Sequence, residues 1–92
     1  EGTGTALFVY GLAWGLRQGV LPEKEYLPVA MNGWNALAGM SLHPNGALGY
    51  MQGRAKGPKD GLPLEYDVIH EPEDFAVGCF LLAGSEIYKI ID

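Results

Sequence analysis

The sequence is poor in cysteine, in basic charge and in long apolar runs, and each shortage closes off a class of function. Cys79 is the one cysteine of 92 residues. It cannot form an internal disulfide, so no disulfide framework organises the chain and the compartment stays undecided. Its setting, Phe-Ala-Val-Gly-Cys-Phe-Leu-Leu, is that of a core thiol acting as a small hydrophobe. Lysine and arginine number 6 against 11 acids, for a formal net charge of −5. The only loose group of bases is Arg54, Lys56 and Lys59, which reads as a solvated loop. A nucleic-acid partner would require a clustered basic face, so none is expected. The apolar runs reach about ten residues, short of the ~20 a spanning helix needs, so no membrane partner is expected. His43 and His70 stand alone without metal-ligand spacing. No metal is expected.

What the chain has in quantity is apolar side chain. Hydrophobic residues make up 48% and charged residues 18%. The latter is below the roughly 25% of ordinary globular domains. Such a length makes one domain or part of one. A chain this short buries only about two-thirds of the surface its unfolded form exposes. One so apolar therefore calls for cover from further helices, in its own chain or in another subunit. Alone, it is expected to self-associate. It begins at Glu1 rather than at methionine, and so reads as an excerpt of a longer chain.

The most informative stretch is residues 2–16, Gly-Thr-Gly-Thr-Ala-Leu-Phe-Val-Tyr-Gly-Leu-Ala-Trp-Gly-Leu. Thr3 and Thr5 sit where a helix would begin, and threonine hydroxyls accept from the orphan N–H groups of a first turn. The residues that follow are apolar in every direction at 100° each, the pattern of a helix buried all round. The expected helix covers 3–18, with Arg17 suiting the negative end and Gly19 as its stop. Gly11 and Gly15 suggest close packing of another backbone. Trp14 is expected in the core, as is Trp34 farther on.

Pro22-Glu23-Lys24-Glu25 opens a second helix after a short link. Pro28 leaves two options: a single turn before a longer helix starting near Leu27, or a kink. From Tyr26 to Ala38 the apolar residues recur at i, i+3, i+4 and i+7, the stripe of an outer helix with one face on a core. It should stop near Gly39. Residues 40–52 then carry Asn45-Gly46 between short apolar pieces, the signature of a hairpin, and a small two-stranded β-hairpin flap is expected. Residues 54–72 read as a long loop. A third helix opens at Pro72-Glu73-Asp74 and runs to Ile91, apolar all round at first. The chain is thus expected to be all-α, about three helices plus the flap. The short link makes helices one and two antiparallel. The long excursion returns the chain to the side where helix one begins. Two helix N-termini, the flap and Glu73-Asp74 would then share one face, suited to an anion or a sugar.

As a set, Gly-Thr-Gly-Thr-Ala-Leu-Phe-Val-Tyr-Gly-Leu-Ala-Trp-Gly, Gly-Trp-Asn-Ala-Leu, Asn-Gly-Ala-Leu-Gly-Tyr-Met-Gln and Val-Gly-Cys-Phe-Leu-Leu-Ala-Gly-Ser-Glu-Ile-Tyr-Lys resemble the C-terminal quarter of the unsaturated rhamnogalacturonyl hydrolases of glycoside hydrolase families 105 and 88. The resemblance covers nearly the whole chain and is weakest over residues 54–70. It implies a fragment of an (α/α)6 barrel, with residues 1–92 the C-terminal segment of a single catalytic domain. It also implies removal of an unsaturated uronic acid from lyase-generated, pectin-type oligosaccharides. In that family an aspartic acid protonates the sugar's C4–C5 double bond, water adds at C5, and the hemiketal opens, with no cofactor. The family's catalytic aspartates lie upstream, so no catalytic residue is assigned to this chain. The missing N-terminal barrel helices would be its partners, and the 92 residues alone would be inactive. The candidate substrate-binding residues are Thr3 and Thr5, which the resemblance places at the pocket mouth, with Tyr50 and Gln52 on the flap. Plain helix capping is the competing role for the threonines, and flap structure for the other two. Two further possibilities stand beside this one: a non-catalytic helical scaffold piece, and a six-hairpin enzyme acting on a different sugar.

Overall fold

The computed structural model describes residues 2–51, 65–67 and 74–91. It consists of α1 (Gly2–Arg17), α2 (Glu23–Ala36), a π-helical turn (Leu37–Ser41) that continues α2, and α3 (Asp74–Ile91). The all-α class expected from the sequence is what the structure shows. Gln52, Glu73, Lys56 and His70 lie outside the described residues, as does most of the expected loop.

α1 ends where glycine allows it to. The Gly19 N–H donates to the Leu16 carbonyl (3.1 Å) and the Val20 N–H to the Gly15 carbonyl (2.9 Å). This double closure requires a left-handed residue, and Gly19 has φ +76°. The link then turns α2 back along α1. A Cβ on Gly33 would lie 2.6 Å from Val9 Cγ2, so the bare glycine is what lets the two helices come this close. α2 starts after Pro22, carries Glu23 and Glu25 in its first turn, and runs through Pro28 as one helix. Of the two options the sequence left open, the separate first turn is therefore not the one adopted. The cost is the backbone bond a residue other than proline would have made at that position.

α3 lies alongside α1 and runs the same way. The evidence is at their far ends, where Arg17 Nε donates to Glu86 Oε2 (2.8 Å) and Nη2 to Oε1 (3.3 Å). Lys89 Nζ adds a bond of 3.4 Å to Oε1. The core between the helices is built from small residues, with Ala6, Ala13, Ala30 and Ala83 all fully buried beside Val9 and Ile87. Small side chains keep the helices close, at the cost of little apolar area per residue. Trp34 bridges α2 to α3, its ring 5.0 Å from that of Phe80.

Two sequence expectations are corrected here. α1 is not buried all round within this chain: Phe8 is 76% exposed, Leu7 50% and Trp14 45%. The helix has neighbours on one side only, so its second apolar face meets solvent, and Trp14 is not core. The two-stranded flap is not found either. A single antiparallel bridge joins Leu42 to Leu48, with no strand among the described residues. Pro44 is the reason for the turn's register. The Gly46 N–H closes on the His43 carbonyl (2.9 Å), which makes Pro44-Asn45 the central pair instead of Asn45-Gly46. Extension stops on one side because Ser41 still belongs to the π turn. On the other it stops because Tyr50 has φ +59°.

Glu86 is nearly fully buried, and its carboxyl is held below the usual glutamate range, chiefly by its hydrogen bonds from Arg17. A carboxyl with a depressed folded-state pKa contributes stability above its unfolded pKa and loses it as pH falls through the folded value. Glu86→Gln should therefore flatten the acid limb of stability. The variant's melting temperature is expected to fall less than the wild type's between pH ~6 and pH ~3, as scanning calorimetry would read. Equal losses in both proteins would show that the pair does not set this limb.

Candidate functional site

The start of α1 is where the separate segments converge. Met51 tucks under the first turn, its sulfur 3.5 Å from the Thr3 hydroxyl that donates to it. The Tyr50 carbonyl accepts the Gly2 N–H (2.9 Å). One of the helix-start donors that the sequence reading offered to a ligand is thus already used by the chain itself. Beside this junction opens a pocket of about 250 Å³, lined by Gly2, Thr5, Ala36, Leu37, Met40, Ser41 and Tyr50. Its lining is mainly apolar, with Thr5, Ser41 and Tyr50 among it, a mixture suited to a hydroxylated ligand with apolar C–H faces.

Of the four residues singled out from sequence, Thr5 and Tyr50 are brought together in this wall. Thr3 is buried and is not among the lining residues. Gln52 lies outside the described residues.

Sequence reasoning missed the other wall. Leu37, Met40 and Ser41 come from the π turn, where the Leu42 N–H reaches back five residues to the Leu37 carbonyl (3.2 Å). Such one-turn widenings of a helix recur at functional sites, but nothing in Leu-Ala-Gly-Met-Ser announces one. Tyr66 was missed as well. Its ring stacks on that of His43 at 3.8 Å and lies 6.1 Å from that of Tyr50. It sits in a stretch whose composition reads only as loop.

Among the described residues no three His, Cys, Asp or Glu side chains converge as a metal site would need, and no helix is long and apolar enough to cross a membrane. Among the described residues no carboxylate lines the pocket. What is present is a pocket between the start of α1, the end of α2 with its π turn, and Tyr50.

An antiparallel helical pair with a third helix alongside, and a pocket where the start of α1 meets the end of α2, is the arrangement of a helical-hairpin fold. The chain belongs to glycosyl hydrolase family 88, whose model matches residues 1–91. It is 33% identical over 90 residues to an unsaturated 3S-rhamnoglycuronyl hydrolase of Formosa agariphila, covering 98% of this chain and 22% of that protein. A protein of the same description from an Alteromonas species is 29% identical over 89 residues. The chain thus spans about a fifth of the length of these curated relatives, 22% of the first and 19% of the second. Among solved structures, a glycosyl hydrolase family 88 protein from Bacteroides vulgatus matches 97% of the chain with TM-score 0.81 and 34% identity, over 25% of its own length. A protein described as a polysaccharide lyase matches 99% with TM-score 0.83 and 35% identity, again over 25% of its length.

Proposed function

We propose that residues 1–92 are the C-terminal segment of a single (α/α)6-barrel catalytic domain. The whole protein would remove an unsaturated uronic acid from lyase-generated, rhamnose-containing oligosaccharides. The observation that carries this reading is the family membership together with the position of the pocket at the start of α1. The chemistry proposed is hydration of the sugar's C4–C5 double bond. An acid from upstream helices gives a proton to C4, water adds at C5, and the resulting hemiketal opens to release the sugar. This chain's part is to hold the substrate. Thr5 offers a hydroxyl and Tyr50 a ring face to the sugar, while Thr3 backs the wall; Gln52, outside the described residues, is the fourth proposed substrate contact.

The test follows the double bond's ultraviolet absorbance in the full-length protein. With an unsaturated rhamnogalacturonan or rhamnoglycuronan disaccharide, absorbance should fall. The disaccharide that turns over faster names the substrate class, and the pectin-type one is the proposed substrate. A second reading, favoured by the polysaccharide lyase at 35% identity, predicts the opposite sign. A lyase would raise absorbance on the intact polysaccharide and leave the disaccharide untouched.

Thr5→Val keeps the shape and removes the hydroxyl. In the full-length enzyme it is expected to raise KM about threefold to tenfold, the worth of one hydrogen bond, with kcat little changed. An unaltered KM would remove Thr5 from the substrate wall.

A further inference from the structure

Tyr50 is the one residue other than glycine with positive φ among the described residues, at +59°. Left-handed backbone on a bulky residue costs free energy, and it persists only where the surroundings over-determine it. Here the surroundings are two backbone hydrogen bonds and a ring stack. Tyr50's carbonyl takes the Gly2 N–H (2.9 Å), and its own N–H donates to the Glu65 carbonyl (2.8 Å). Next to Glu65, Tyr66 presses its backbone against Gly49, leaving no room there for a Cβ. Tyr66 is held in turn by His43. The two rings stack at 3.8 Å and 16°, and His43 Nε2 lies 2.6 Å from the Tyr66 carbonyl. A carbonyl only accepts, so Nε2 carries the proton. His43 is itself fixed at the turn, its N–H donating to the Ala47 carbonyl (2.8 Å) and its carbonyl accepting from Gly46. The ring contacts of His43 are not needed to close the turn, which its backbone carbonyl closes with the Gly46 N–H. Asn45 Oδ1 accepts the Ala47 N–H at 3.0 Å.

We propose that His43 is a positioning residue: through the stacked Tyr66 it holds Tyr50 in its left-handed conformation, with the Tyr50 ring in the pocket wall. The ligand facing that ring would be the sugar next to the one bonded by Thr5, its C–H face against the tyrosine. This last step rests on the reading given under Proposed function, whereas the clamp itself does not.

The test uses the full-length protein and a double-substitution cycle. Tyr50→Asn keeps a residue that tolerates left-handed backbone and removes the ring, and should raise KM about tenfold, the scale of one lost aromatic contact. His43→Ala should raise KM by a similar factor with kcat nearly kept. The double variant should be no worse than Tyr50→Asn alone. His43→Phe keeps the stack but not the hydrogen bond, and should restore most of the loss. It also serves as the working variant if His43→Ala does not fold. Multiplying KM effects in the double variant, or equal falls in kcat and in melting temperature without a KM change, would reduce His43 to a structural role and overturn the proposal. A crystal structure of the His43 variant separates the clamp from the reaction. If the wild type proves inactive on every unsaturated saccharide, the functional reading fails. The clamp still stands or falls on whether the Tyr50 ring leaves the pocket wall.

Discussion

Leu37→Ala is expected to destabilise the protein by about 3 kcal/mol, within the range for leucine truncation in a closed core. Leu37 is 1% exposed and is among the largest fully buried side chains of the chain. It is also the first residue of the π turn and part of the pocket lining, so the cavity left by truncation would open directly beneath the ligand wall. The two effects should therefore appear together. Denaturant unfolding of the full-length protein should show a lower midpoint with unchanged slope, and KM should rise because Met40 and Ser41 lose their support. Leu37→Met supplies the control. It conserves volume and should cost less than about 1.5 kcal/mol. If both variants unfold like the wild type, Leu37 is not the keystone of the α2–pocket junction that its burial implies.

The limits of α1 were legible because they are written in local chemistry. Threonines mark its start, Gly19 its stop, and a helix expected over 3–18 is observed as Gly2–Arg17. The return of α2 along α1 could be read because the link between them is short. What could not be read is non-local. Arg17 was assigned only a helix-end role, yet its partner is Glu86, 69 residues away, and no periodicity reports such a pairing. The flap was misread because Asn45-Gly46 is a strong hairpin signal, and the preceding Pro44 moves the turn by one residue. Of the pocket lining, Thr5 and Tyr50 could be named from the sequence because one lies at a helix start and the other beside a turn. Met40, Ser41 and Tyr66 could not, because a π turn and a ring stack arise from packing and leave no composition behind.

The largest functional effect should come from isolating the chain. The 92 residues alone are expected to show no loss of double-bond absorbance on any unsaturated disaccharide, because among the described residues no carboxylate lines the pocket to give the proton. They are also expected to associate. Phe8 is 76% exposed, Ile91 65% and Leu81 62%, on helices whose other faces are packed, which is more bare apolar surface than a monomer ordinarily carries. Light scattering on the isolated chain should report oligomers, and Phe8→Asp with Leu81→Lys should disperse them without producing activity. In the full-length protein the same pair of charges should do the reverse. If upstream helices cover those faces, each substitution buries a charge without a partner, at a cost of several kcal/mol, and soluble, active enzyme should be lost. Retention of full activity by that double variant would mean that the faces are open in the whole protein. Residues 1–92 would then not be a segment of a closed barrel.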